Sequence, residues 1–483
     1  MQQNRDGVVK LFSLFGRFSI LLLFAAASGY AQSFADFKRV QSESFANFRD
    51  KKDSEFSNYI KRQWQEYEAQ YTKPMYKKQK PKTIVPASRK KFKAVGPKIR
   101  INLQKPPKHA EHILPIPVYV KKGINFDFFG TKIGVDIPLK MKQAKFYPNN
   151  QQGIVNFFSV MASSDYDGLL DTIKTIQKEL NLNDWGINVF VKELSKNIFL
   201  NNDDATLFRW FILNKLSYDV RVALSGGHTL LLQSSKQIIY ATPTYTLDSK
   251  KYYLIDNYNK ESVGRIYTYE RNYPDADKKL DFSLKTLPNF SRDELVKNLR
   301  YKYFGKEYKI SYHLNKNLLA FMDTYPQVDY KVYFNAPLET STYLELAKSL
   351  KVYLEGKKAS EAINILLHFV QKAFDYESDQ EQFGHEKVMF AEQTLYYKKS
   401  DCEDRAVLFA YLVKKMLHIS VVGVKYSDHM STALYIPLRG DSVKVGRKKF
   451  IIADPTYINA NVGQSMQKYR SIIPEKFIYV RNI

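Results

Sequence analysis

Residues 396–436 read YYKKSDCEDRAVLFAYLVKKMLHISVVGVKYSDHMSTALYI, and residues 448–457 read KKFIIADPTY. The run SDCEDRAVLFAYLVKKML predicts a helix that begins at or just before Cys402, because Ala406, Phe409, Ala410 and Val413 recur on one face. ISVVGVKY predicts a strand of apolar and β-branched residues. His429 opens a second strand, MSTALYI, and KKFIIAD is a third that Asp454 closes before Pro455. Cys402 is the only cysteine of the chain; His429 follows 27 residues later and Asp454 a further 25. A nucleophilic thiol needs a base, and the base needs an orienting group. The order helix with Cys, strand with His, strand with Asp supplies all three. A thiol at a helix N-terminus faces free N–H groups and the positive dipole end, which predicts a lowered pKa. The same reading predicts Sγ within about 3–4 Å of an imidazole nitrogen, in a groove open to solvent. Singly, each residue has a plainer role: a lone Cys packs as a small hydrophobe, a lone His is structural, and Asp before Pro-Thr starts a turn. The charged neighbours Asp401, Glu403, Asp404 and Arg405 speak against simple core packing of Cys402.

The run Ser400-Asp401-Cys402-Glu403-Asp404-Arg405-Ala406-Val407-Leu408, with His429 and Asp454-Pro455-Thr456, resembles the transglutaminase-like cysteine protein superfamily, distant relatives of the papain-like proteases. That family shows G-D-C-x-D-x-A-x-L at the nucleophile helix, a strand His, and Asp in D-P-T. The resemblance covers roughly residues 342–483. It implies Cys402 as nucleophile, His429 as base and Asp454 as orienting acid. Ser400 stands where the family has Gly, and Met430-Ser431 where it often has Ala-Trp. Over most of its length the chain is also similar to secreted transglutaminase-like proteins of Bacteroidetes-type bacteria.

An earlier stretch, NNDDATLFRWFILNKLSYDVRVALSGGHTLLL (201–232), runs parallel to the Cys402 stretch. At an offset of 201, Asp203 matches Asp404, Ala205 matches Ala406, Leu207-Phe208 match Leu408-Phe409, and His228 matches His429. KYYLID then places Asp256 opposite Asp454 at an offset of 198, and Asn201 falls opposite Cys402. The expectation is a degenerate second unit with Asn201, His228 and Asp256 at the site positions. An amide cannot act as the activated nucleophile there. The predicted fold class is α+β: tandem transglutaminase-like (papain-like) units joined by a small antiparallel β region, preceded by an amphipathic helix and a basic linker.

The rest of the chain divides by composition. Residues 1–31 read as a secretory signal peptide, with Arg5, Lys10 and Arg17, an apolar run Phe18–Ala27, and Gly29-Tyr30-Ala31 at the cleavage site. In residues 32–71, Phe34, Phe45, Phe56 and Tyr67 recur every 11 residues, as do Phe37, Phe48 and Tyr59. Eleven residues are close to three helical turns, so an aromatic-striped helix is predicted. Such a helix suits packing against protein or contact with a membrane surface. Residues 72–109 hold thirteen Lys or Arg, six Pro and no acidic residue, which predicts a solvated linker (72–110) able to meet an anionic envelope component. Residues 111–262 are predicted to hold strands (ILPIPVYV, INFDFFG, TKIGVDIPL), helices and the degenerate unit. Residues 263–341 are predicted as antiparallel strands (LRYKYFG, EYKISYHL, NLLAFMDTY, VDYKVYFNA) pairing with those of 113–146. Residues 342–483 form the expected catalytic domain, entered through two helices. His368 reads as a packing histidine. Gln380 and Gln382 are candidates to donate an amide N–H to an oxyanion.

The formal net charge is +25, with 44% hydrophobic and 14% aromatic residues, enough for real cores. Export makes nucleic acid an unsuitable partner for the basic run. No HExxH, paired-Cys or dinucleotide motif occurs, so no metal or cofactor is expected. Two functions fit. One is an exported cysteine hydrolase, periplasmic or outer-membrane-associated in a Gram-negative bacterium, acting on amide bonds of a peptide, protein or peptidoglycan stem. Hydrolysis is favoured over cross-linking acyl transfer. The other is a non-catalytic envelope scaffold or binding protein on the same fold.

Overall fold

A computed structural model describes residues 36, 39–40, 43–44, 46–76, 78–88, 92–103, 123–257, 263–303 and 305–481. The signal-peptide reading of 1–31 and the strand reading of ILPIPVYV lie outside the described residues. The fold class is α+β. The chain divides at Arg62 into two units. The first contributes a helix over residues 46–60. The second is Gln63–Ile483. No helix among the described residues is long and apolar enough to cross a membrane.

The C-terminal sheet is antiparallel throughout, in the order Ser442–Val445, Lys448–Ala453, Met430–Leu434, Val421–Lys425, Lys476–Tyr479. The helix Cys402–Leu417 packs on its two central strands and on the helix Ala359–Ala373. It is buried nearly all round, with an apolar stretch from Ala406 to Val413, and only Lys414 and Lys415 of its residues are not buried. That pattern marks a helix enclosed on every side.

The earlier sheet repeats this order: Pro243–Leu247, Lys250–Tyr253, His228–Ser234, Val220–Ser225, Arg265–Thr268. Its helix, Asn202–Lys215, packs on the same two central strands. Register agrees as well as order. Val220 pairs with Gln233 as Val421 pairs with Leu434, and Gln233 pairs with Tyr253 as Leu434 pairs with Ile451. The cores also correspond. Ala223 and Leu232 stand 201 residues before Val424 and Ala433; Leu247, Tyr252 and Leu254 stand 198 before Val445, Phe450 and Ile452. Since a one-residue slip would turn each strand inside out, matching register and matching inward residues are one constraint seen twice.

The earlier sheet has one addition. Gln65–Glu68 pairs with Arg265–Thr268 at one edge, and after Ala69 the residues Gln70–Tyr71 pair with Pro243 and Thr244 at the other. The sheet closes on itself through this strand, which leaves neither edge unpaired. The helix expected over 32–71 therefore ends at Ile60, and Tyr67 lies on a strand rather than on the stripe.

The linker expected over 72–110 is instead a strap. Its described residues lack helix and strand, yet they dock at intervals. Thr72 exchanges hydrogen bonds with Thr242, the Ala87 N–H donates to the Ile458 carbonyl at 2.8 Å, and residues 95–101 bond to 355–360. Met75, Tyr76, Lys80, Ala87 and Ile101 are buried. Backbone bonds between 95–101 and 355–360 thus tie the expected linker to the expected catalytic domain.

Between the two sheets the expectation of one β region fails. Arg265–Thr268 belongs to the earlier sheet, and Lys278 and Leu280 bridge to Tyr218 and Ser235 beside it. The hairpins Ile124–Phe128/Thr131–Val135 and Glu294–Tyr303/Lys306–Asn315 form separate two-stranded sheets. Lys316–Asp323 and Tyr330–Tyr333 are helices. Asn315 caps the first by accepting the Asn317 N–H, and Leu318, Leu319, Phe321 and Met322 bury one helical face. Helices expected within 111–262 are present, among them Gln151–Ala162, Asp167–Glu179 and Asp184–Ile198.

Candidate active site

Cys402 is the first residue of its helix. Asp401 is the N-cap, and a reciprocal capping box joins it to Asp404, whose Oδ2 accepts the Asp401 N–H at 3.2 Å. Asp404 Oδ1 also accepts the Met389 N–H at 2.8 Å, which fixes the loop before the helix. Arg405, fully buried, donates Nε to Ser400 Oγ at 3.1 Å and Nη2 to the Phe374 carbonyl at 2.7 Å. These bonds hold Cys402 against the strand that follows His429. The Met430 N–H points at Sγ, 3.4 Å away.

His429 and Asp454 meet as predicted. Nε2 lies 2.9 Å from Asp454 Oδ2, while Asp454 Oδ1 accepts the N–H groups of Thr456 and Tyr457 at 3.0 and 3.2 Å. The imidazole stacks on Tyr469 with ring centres 4.7 Å apart. Asp454 Oδ2 accepts a hydrogen bond from Nε2–H, which leaves the lone pair on Nδ1. Nδ1 is buried and has no hydrogen-bond partner.

Two expectations about the thiol are corrected. Cys402 and His429 are both fully buried, so no open groove reaches the sulfur, and the imidazole makes no hydrogen bond to it. The S–H donates instead to Glu403 Oε2 at 3.2 Å. The Tyr76 hydroxyl donates to the same oxygen at 3.1 Å and lies 3.9 Å from Sγ. Burial, with the negative charges of Glu403 and Asp401, pushes the thiol well above its ordinary pKa; Lys80 and the Met430 N–H act the other way without reversing it. The helix dipole loses to two adjacent carboxylates in a dry site.

Those carboxylates belong to a larger cluster. Lys80 of the strap, its side chain 2% exposed, places Nζ 3.1 Å from Asp379 and 2.6 Å from Glu386, and bonds Asp401 and Glu403. Burial would lower the Lys80 pKa, but the four acids raise it well above normal. Burial raises Asp401, with Asp379 and Glu403 adding to the shift; Glu403, equally buried, is drawn below its ordinary value by Lys80. Ligand atoms of Asp379, Glu386 and Glu403 lie within 4.8 Å of one another, as do those of Asp379, Asp401 and Asp404 and of Asp401, Cys402 and Glu403. Such groups could hold a cation, and the cation among them is the Lys80 ammonium.

Gln380 is exposed and donates to the Gly384 carbonyl at 3.0 Å. The Gln382 amide oxygen is buried without a partner. Neither amide hydrogen-bonds the thiol; the Met430 N–H is the donor found there. In the earlier unit the three equivalent residues do not assemble. Asn201 is the helix N-cap and accepts from Asp203 and Asp204, one step before the thiol's place in its own helix. Asp203, the second residue of that helix, makes the thiol's contact instead: the Thr229 N–H, equivalent to that of Met430, donates to Asp203 Oδ1 at 2.6 Å. His228 is 77% exposed and meets Asp203 at 3.1 Å. Asp256 turns away on a short 3₁₀ turn to Lys192 (2.7 Å) and Arg209 (2.8 Å). Tyr76 and Lys80 had no signal in the sequence beyond standing in a basic run. Comparison with protein-family models, with curated proteins and with solved structures finds no match to this chain.

Proposed function

We propose that the protein is an exported transglutaminase-like cysteine enzyme that cleaves amide bonds, built of tandem units of which the earlier is degenerate. The observation that carries this reading is the His429–Asp454 pair, which leaves Nδ1 unbonded one residue from the N–H that contacts Sγ. In the reaction Nδ1 takes the thiol proton, the sulfur attacks the carbonyl carbon, and the Met430 N–H and the helix start supply oxyanion donors. The C–N bond breaks, the imidazolium gives its proton to the departing amine, and an acyl-thioester remains. Water then attacks the thioester, with the imidazole as base, and releases acid and free thiol. An amine in place of water would make the same site an acyltransferase. A peptide, a protein or a peptidoglycan stem is the proposed substrate class, and a periplasmic or outer-membrane-associated location goes with it.

The burial of Cys402 and its raised pKa favour a second reading, a non-catalytic envelope scaffold. Incubation with an activated acyl ester separates the two. The enzyme reading expects acyl mass on Cys402, lost in His429→Ala. Equal acylation of the parent and that variant, or none in either, supports the scaffold.

A further inference from the structure

We infer that the pocket of Asp379, Glu386, Asp401 and Glu403 binds a primary ammonium group of the substrate, and that Lys80 fills it in the closed state. The inference rests on the enzyme reading for the word substrate, while the pocket itself rests on geometry. One ammonium meets four carboxylates there. Even so, Asp379 Oδ1 and Asp401 Oδ1 stay buried without a hydrogen-bond partner. A structural ion pair persists when its remaining lone pairs are satisfied. The two orphaned oxygens mark a cluster that Lys80 does not fully satisfy, as a site for an exchangeable occupant would be. Its place is equally telling. Asp401 and Glu403 flank Cys402, and Glu403 holds the ammonium with one oxygen and the thiol with the other. A cationic group seated here is one carboxylate away from the nucleophile.

The occupant's chemistry follows from the contacts. Nζ gives hydrogen bonds in several directions and sits 4.6 Å from the centre of the Tyr76 ring. A compact ammonium on a flexible stem makes these contacts; a planar guanidinium does not. The matching substrate is a lysine or other diamino-acid residue next to the scissile amide, or an amine that accepts the acyl group. The strap can leave without breaking a sheet, since it has no strand near Lys80. Its neighbouring ties are the Tyr376 hydroxyl to the Pro81 carbonyl and the Ala87–Ile458 bond.

The test is ligand rescue of Lys80→Ala in the full chain. n-Butylammonium chloride should raise its Tm saturably by a few degrees, whereas tetramethylammonium chloride at equal ionic strength, which lacks N–H donors, should not. The rise should disappear in Lys80→Ala/Asp401→Asn. Equal effects of the two salts would overturn the proposal. Should Lys80→Ala fail to fold, the parent answers by hydrogen exchange. The Ala87 amide should exchange faster in n-butylammonium than in tetramethylammonium, and identical exchange would overturn it. Neither readout needs turnover, so pocket and chemistry fail separately. Lysyl and acetyl-lysyl esters then locate the ammonium. Faster acylation by the lysyl ester puts it on the acyl donor; equal acylation with amine-accelerated deacylation puts it on the acceptor.

Discussion

Glu403→Gln isolates what holds the thiol protonated. Sγ lies 3.2 Å from Glu403 Oε2, and the variant removes that charge while keeping an acceptor of the same shape. Coulomb's law puts the repulsion between thiolate and carboxylate at about 1.3 kcal/mol for a water-like dielectric and about 5 kcal/mol at an effective dielectric of ~20. At 1.36 kcal/mol per unit the thiol pKa should fall by roughly 1 to 4 units. Each unit gives tenfold more thiolate at neutral pH but lowers its nucleophilicity, leaving a net gain of about threefold per unit. Alkylation of Cys402 by iodoacetamide at neutral pH should therefore rise between ~3-fold and ~100-fold. Lys80 keeps Asp379, Glu386 and Asp401, so the strap should stay docked, which the Tm checks. An unchanged or slower rate in a folded variant would refute the assignment of Glu403 as the group that suppresses the thiolate.

Other substitutions test other parts of the account. Asp454→Asn keeps an acceptor for the Thr456 and Tyr457 N–H groups but turns an amide donor to Nε2, which moves the ring proton to Nδ1. Acylation should fall on the order of 10³–10⁴-fold, with alkylation changed less and Tm retained; ¹⁵N spectra of the ring read the tautomer. Burial pushes Glu392 up to about 8, so the folded chain binds a proton that the unfolded chain releases near pH 4.5. Stability should then fall as pH rises from about 4.5 to 8, by roughly 3–5 kcal/mol, and denaturant titration should find that slope flattened in Glu392→Gln. His368 has the opposite sign. Burial lowers it to about 4, so stability is lost as pH falls from 6.5 towards 4, by about 3 kcal/mol. His368→Leu should remove this acid-side loss if the ring is only a packing group against Tyr303.

The site was legible where it was built from neighbouring elements. The helix and strands around Cys402, His429 and Asp454 follow from periodicity, and the offsets of 201 and 198 anticipate the ladder register. Asn201 was misplaced because sequence alignment ignores the cap: its side chain bonds its own helix end, and the next acid, Asp203, makes the thiol's contact. Residues 316–323, expected as strand, form a helix, whose signal lies in Asn315 and the Leu318/Phe321/Met322 spacing. The strap was illegible for a physical reason. A basic, proline-rich run with no acids looks solvated, and the four carboxylates that bury Lys80 lie about three hundred residues away. The depressed thiol pKa failed with it, since helix position alone does not report charges brought by folding.

The most direct test of the central claim is the rate of Cys402 alkylation against pH in the parent and in His429→Ala. Burial of Cys402 slows both, and any opening common to the two chains multiplies both rates alike, so their ratio reports the imidazole. The account predicts that His429→Ala is several-fold slower through the neutral range, because the thiolate has lost its imidazolium partner. Superimposable profiles, each following an ordinary or raised thiol pKa, would contradict it.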